Sequence, residues 1–151
     1  MKKNTTEFPN LKQIEQLVWR QLQETFSAVM KTLLEDLDEQ IAKERDKKRY
    51  RLHEKRTTTI VSLFGEIEVD RNYYRDREKG DYVFLLDHYL DFEGAGTFSP
   101  LIEEAALELA ITGSSYRKAA QTLETLLGYR VISHEAIRQH LLEIASIPKE
   151  R

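Results

Sequence analysis

The chain has no cysteine among its 151 residues, and only three prolines and six glycines. Without cysteine there is no disulfide framework and no thiolate metal site. No apolar run approaches the ~20 residues that a membrane-spanning helix needs. The start, MKKNTTEFPN, has no apolar core and is not a secretory signal. A cytoplasmic protein is therefore the expectation. An excess of positive charge is also missing: 23 Lys and Arg stand against 26 Asp and Glu, net −3, so there is no global signal for nucleic acid. No glycine-rich phosphate loop follows a strand pattern, and no Ser or Thr is visibly paired with a His and an acid. These absences argue against an enzyme in this chain.

What is present is ordinary for a globular chain. Charged residues make up 32% and hydrophobic residues 40%. The length suits one domain, or one and a half, and is enough to bury a real core. The average charge hides an asymmetry. Residues 43 to 56, KERDKKRYRLHEKR, hold eight Lys or Arg against three acids, a local balance of about +5 that leaves about −8 for the rest.

Residues 10 to about 48 read as one long helix. Leu11, Ile14, Val18, Leu22, Phe26, Val29, Leu33, Leu37 and Ile41 recur at steps of three and four. The mean step is nearer an eleven-residue repeat than a heptad, which disfavours a left-handed coiled coil. Asn10, after Pro9, is a natural N-cap. Leu17, Met30 and Leu34 widen the stripe. One helix cannot bury it alone, so it packs on the rest of the chain or on a second copy, and a homodimer is expected. Trp19 beside the stripe reads as packing.

Residues 57 to 98 change character. TTTIVSLFGEIEVDRNYY is β-branched and aromatic and breaks at Phe64-Gly65, which predicts a hairpin with strands near 57–63 and 66–75. Alternation sets Ile67 and Val69 against Glu66, Glu68 and Asp70. YVFLLD at 82–87 reads as a third strand. Residues 91–100 form a loop ending in Ser99-Pro100, a helix start. From 99 to 151 the pattern is helical, with helices near 100–111, 115–127 and 134–146, the last stopped at Ile147-Pro148. Glu103 and Glu104 suit the positive end of the first of these.

In the 115–127 helix Tyr116, Ala119, Ala120, Leu123 and Leu127 share one face, while Arg117, Lys118 and Gln121 point elsewhere. Gly128 is a natural C-cap. Val131 and Ile132 can plug the turn into the core, and Ser133 is an N-cap. Ile137, Leu141 and Ile144 make the last helix's core stripe. His134, Glu135, Arg138, Gln139 and Leu142 are its free face. A helix-turn-helix DNA reader has this form: one helix braces, and a second offers its N-terminal half to the major groove. Arg can grip guanine and Gln can pair with adenine. Backbone amides near Ser133 can hold a phosphate. Two readings remain open, because three packed helices with polar outer faces need no DNA, and the turn GYRVIS exceeds the three or four residues of the compact motif. The basic run is open in the same way. Lys47, Lys48 and Arg51 are a phosphate-contacting stripe, with Tyr50 stacking or packing, or they are a solvated helix end favoured by the dipole.

TGSSYRKAAQTLETLLGYRVISHEAIRQHL resembles the N-terminal region of the ISLre-type insertion-sequence transposases, a bacterial family long catalogued as uncharacterised. So do RYRLHEKRTTTIVSLFGEIEVDRNYYRD, YVFLLDHYLDF and EFPNLKQIEQLVWRQLQETF. The resemblance covers nearly the whole chain, in order. It implies a double-stranded DNA partner, the ends of the element, with Arg130 joining Arg117, Lys118, Gln121, Ser133, His134, Arg138 and Gln139 as contacts. It also implies a downstream RNase H-like domain that binds divalent metal, absent here. The chain would then be the amino-terminal portion of a transposase, a gene remnant or an excised piece, with no cofactor of its own. Two acidic groups invite a metal reading, Asp87, His88, Asp91 and Glu93 in one loop and Glu66, Glu68 and Asp70 on one strand. Both are more simply solvated polar faces.

The expectation is thus an α+β protein. It has a long N-terminal helix ending in a basic segment (1–56), a small antiparallel β-sheet of hairpin plus third strand (57–98), and a C-terminal three-helix, helix-turn-helix-like unit (99–151). The expected function is DNA binding within a transposase. The alternative is a helical dimerisation or interaction module without DNA contact.

Overall fold

The computed structural model describes residues 7–92, 98–113 and 115–146, and of His140 and residues 144–146 the backbone only. The architecture is α+β. Helix α1 (Leu11–Glu44) precedes a hairpin of β1 (Tyr50–Ser62) and β2 (Gly65–Asp76), a short β3 (Tyr82–Val83) and a one-turn α2 (Leu85–Tyr89). Helices α3 (Pro100–Thr112), α4 (Tyr116–Leu127) and α5 (His134–Ser146) follow. The sheet is antiparallel, in the order β1-β2-β3.

α1 begins where the sequence places it. Asn10 accepts from the Gln13 amide, and the Gln13 side chain accepts from the Asn10 amide in return. It ends earlier than the apolar periodicity suggests, at Glu44 rather than near 48. Arg45 is already extended, and its guanidinium turns back onto the carbonyls of Ala42 and Tyr50. Asp46 then accepts from the amides of Lys48 and Arg49, a local turn that competes with the helix. The basic run is therefore a chain reversal followed by the first half of β1. Only Lys43 lies in the last turn of α1.

The hairpin is longer than predicted, with Ser62 paired to Gly65 around a two-residue turn, and Tyr50 paired to Asp76 at the far end. β3 is shorter: the chain leaves the strand at Phe84 and coils. The coil lets consecutive Leu85 and Leu86 both enter the core, which an alternating strand forbids.

β3 covers only Tyr74 and Arg75 of β2. The rest of that edge is met by α1. Lys31 Nζ donates to the Glu68 carbonyl at 3.1 Å, Glu35 accepts from the Asp70 amide at 3.3 Å, and Asp38 accepts from the Asn72 amide at 2.9 Å. Residues two apart on a strand are ~6.6 Å apart and one helical turn is 5.4 Å, so the two repeats keep step over this length.

Two apolar clusters result. One joins Leu34 and Ile41 of α1 to Ile67, Val69, Tyr74, Leu85 and Leu86. The other joins Ile102, Ala106, Ala119, Leu123, Leu127, Val131, Ile132 and Ile137, with Trp19, Val61, Leu63 and Tyr129 packed against it. The long stripe of α1 is thereby divided. Its C-terminal members are covered, but Leu11 is 70% exposed, and Ile14, Leu17, Val18, Leu22, Val29 and Leu33 are exposed with it. Among the described residues no helix is long and apolar enough to cross a membrane.

Gly128 ends α4 in the left-handed region at φ 79. A Cβ there would meet only Trp19 Cδ1 at 3.8 Å, an ordinary contact. Gly128→Ala should therefore show the backbone penalty almost alone, about 1–2 kcal/mol. Urea denaturation checks this, and a variant as stable as the parent refutes it.

Candidate nucleic-acid interface

The α4–α5 pair is capped as its sequence predicts. Ser115 accepts from the Lys118 amide at 3.1 Å, and Ser133 accepts from the Ala136 amide at 3.1 Å. Val131 and Ile132 are buried, and Ile137 is wholly so. Leu141 is half-buried. The Ile144 side chain and Ile147-Pro148 lie outside the described residues.

The pair is also tied to the rest of the molecule, which the sequence did not suggest. Trp19 Nε1 and Gln23 Nε2 both donate to the Leu127 carbonyl, at 3.0 and 2.7 Å. That carbonyl is one of the unsatisfied acceptors at a helix C-terminus. Tyr129, inside the turn, donates its hydroxyl to the Ser62 carbonyl at the hairpin tip. Burial, then the nearby Glu66, pushes the Tyr129 phenol up to about 12, so it stays a donor. The backbone of the hairpin tip also accepts from the Ser99 amide at the start of α3.

The structure brings most of the sequence-predicted residues together. Arg117 and Gln121 of α4, Arg130 of the turn, and Ser133 and His134 of α5 line one cleft of about 410 Å³, with Glu124 and Glu135 also on its wall. Arg138 and Gln139 stand exposed further along α5, where they line a neighbouring depression with Leu142 and Glu143. Lys118 is exposed on α4 but does not line the cleft. No ion pair among the described residues engages Arg117, Arg130 or Arg138.

Lys47, Lys48 and Arg51 do not join them. They lie at the opposite end of the hairpin from the tip that holds Tyr129. β2 runs for 12 residues, so at a rise of ~3.3 Å per residue its two ends are at most about 36 Å apart. There the register supplies cations that the linear run omitted. Arg51 is paired directly with Arg75, and the Arg77 amide donates to the Arg49 carbonyl. The charge of RNYYRDR was legible, but its proximity to the run depends on a register that composition does not specify. Tyr50 is half-buried in the core under Arg49, so it packs.

Arg49 forks onto buried Asp76, Nε to Oδ1 at 3.0 Å and Nη2 to Oδ2 at 3.1 Å. The Glu78 and Lys79 amides add two further donors to Asp76 Oδ1. The Arg49 guanidinium first, and these amides after it, hold the Asp76 carboxyl down at about 2.

Most of the acidic side chains singled out are paired, hydrogen-bonded or exposed. Asp87 pairs with Arg71, Asp70 accepts from the Thr57 hydroxyl, and Glu66 and Glu68 are exposed. Glu93 lies outside the described residues. Among those that are described, no group of three or more His, Asp or Glu side chains could hold a metal ion.

An uncharacterised protein family, UPF0236, matches residues 4–151. The chain belongs to UPF0236. Its similar relatives include a UPF0236 protein of Caldanaerobacter subterraneus subsp. tengcongensis, 28% identical over 61% of the chain and 20% of the relative. The name of that protein joins eleven designations. Two further UPF0236 proteins of the same organism are 26% and 25% identical over 73% of the chain and 24% of their own lengths. The chain thus spans about a fifth to a quarter of the relatives it matches.

The Asp76 cluster has a pH signature. An unfolded Asp titrates near 3.9 and the folded one at about 2. Its contribution is present above pH ~4 and is lost as pH falls through about 2. Asp76→Asn keeps an acceptor for the two amides and removes the charge. Its urea midpoint should lie below the parent's at pH 7, and the gap should close between pH 4 and 2. A gap of constant size across that range would rule out the ion pair as its cause.

Proposed function

We propose that this chain is the DNA-binding, N-terminal part of an ISLre-type transposase, that it recognises the duplex ends of an insertion sequence, and that it is non-catalytic by itself. The observation that carries the reading is the α4–α5 pair. Its turn is bound at two points to the frame, its cleft gathers Arg117, Gln121, Arg130, Ser133 and His134, and Arg138 and Gln139 stand exposed on α5. A reading helix must be held against its brace and must keep donors available; the ties at Leu127 and Tyr129, and the lack of an ion pair on Arg117, Arg130 or Arg138 among the described residues, support the reading. The motif order along the chain supports the family assignment. So does the relative whose single name joins eleven designations, since copying by transposition leaves such a record.

The test separates base reading from phosphate contact. A duplex is first selected by the protein from a random pool, and binding is then compared with an unselected duplex. Arg138→Ala should weaken the selected duplex roughly tenfold, since a bidentate base contact is worth about 1–3 kcal/mol, and should change the unselected one little. Lys47→Ala should weaken both alike and lower the salt slope by about one unit. Unchanged affinity of a folded Arg138→Ala variant for the selected duplex would make α5 a structural brace.

One observation favours self-association beside DNA binding. Leu11, Ile14, Val18, Leu22, Val29 and Leu33 recur at helical spacing on α1 and are all exposed. A stripe of this length on a surface marks an interaction site, and a second copy of α1 offers a matching stripe. Light scattering at tens of micromolar should give about twice 17.8 kDa, and Leu22→Glu should halve it. A monomer mass for the parent refutes the dimer.

A further inference from the structure

The sheet carries a second surface, remote from α5. Register and alternation place Arg51, Tyr73, Arg75 and Tyr82 on one face, while Tyr74 and Val83 face the core on the other. The Tyr73 and Tyr82 rings stack with centroids 5.3 Å apart at 24°. The His53 ring lies 5.0 Å from Tyr82, and Phe84 lies 4.4 Å from Tyr73 on the other side. His53 is able to join because the β1 ladder slips between Leu52 and Glu54, leaving it as the extra residue. Tyr82 remains 44% exposed.

The cations around these rings differ in how far they are already engaged. Arg71 is paired with Asp87 and lies on Phe84. Arg56 lies over Tyr73 and is paired with Glu54. Arg51 and Arg75 have no acid partner among the described residues, and they sit directly opposite each other. Directly opposed side chains in a sheet have Cβ atoms roughly 5 Å apart, and like charges there are destabilising. An anion held between them removes that repulsion. Exposed rings beside an unsatisfied pair of cations match a polyanion that also offers flat aromatic surfaces. Nucleic acid has both, but a duplex hides its base faces in the stack, so only an unpaired strand can use the rings.

We propose that this face binds single-stranded nucleic acid, with Tyr82 and His53 stacking on bases and Arg51 and Arg75 pairing with phosphates. The surface is distinct from the α4–α5 cleft and does not rest on the duplex-reading role of α5. The probe is a short labelled oligothymidylate, compared with a duplex of equal length by fluorescence anisotropy on the full chain. The parent should bind the single strand, and Tyr82→Ala should weaken it roughly tenfold while leaving the duplex unchanged. Tyr82→Trp should restore binding. Arg75→Gln, on the surface, serves should Tyr82→Ala loosen the short β3, and it should lower the single-strand salt slope by about 0.7. Arg138→Ala should leave the single strand unaffected, so failure of the α5 reading is seen separately from failure of this one. No binding of the oligothymidylate by the parent, equal losses on single strand and duplex, or a folded Tyr82→Ala variant that binds like the parent would each overturn the proposal.

Discussion

The free edge of β2 is closed by side chains of a helix and not by another strand. An open edge exposes unpaired amides and carbonyls and invites pairing with other chains. Lys31, Glu35 and Asp38 answer three successive groups of that edge. The docking sets α1 along β2, and the far ends of the helix then have fixed destinations. Trp19 and Gln23 reach α4, while Arg45 reaches the Tyr50 carbonyl and lies over the Tyr74 ring. The arrangement has a cost. Asp38 is only 2% exposed, and burial raises its carboxyl above the usual range. Its ionised form therefore opposes folding; the penalty is absent below the unfolded pKa, grows as pH rises from there to the raised folded value, and is constant above it. Asp76 has the opposite sign, so the two carboxylates that bracket the sheet pull stability in opposite directions with pH.

Local signals in the sequence were strong wherever a cap or a period decided the structure. Asn10, Ser99, Gly128 and Ser133 all mark real helix ends, and α3, α4 and α5 lie within a residue of their predicted limits at the ends that are described. The failures share one cause. At Glu44, apolar periodicity says nothing of Asp46, whose side chain offers the backbone a turn instead. At Leu85-Leu86, β-propensity competes with a tertiary gain, the burial of two adjacent leucines. The stripe of α1 was visible, but not how little of it the sheet would cover. The partners of α1 are backbone groups of β2, and hydropathy does not register them.

The candidate site divides in the same way. The α4–α5 cleft was legible because its residues lie within twenty positions of one another on two well-marked helices. The Arg51–Arg75 pair was not, since it depends on register across a hairpin whose turn position was only approximately known. Consecutive Tyr73 and Tyr74 illustrate the difficulty. The strand sends one to the outer ring cluster and the other into the core, where its hydroxyl is enclosed. Alternation from Ile67 and Val69 would turn Tyr73 inward and Tyr74 outward, but the buried parity of β2 changes between Val69 and Asn72, and the structure has the reverse.

The two surfaces lie toward opposite ends of the hairpin, with Gly65 and the 73–75 segment roughly 30 Å apart along β2. The coupling between them is mechanical. The Leu127 carbonyl takes two hydrogen bonds from α1, and Tyr129 takes the hairpin tip, so α4 and its turn cannot swing without breaking α1 or β1 contacts. Under the proposed reading, a helix pair free to pivot would lose its registration on bases. Fixing it to a frame whose other end holds Arg51, Arg75 and Tyr82 ties the separation of the two faces to the length of the hairpin.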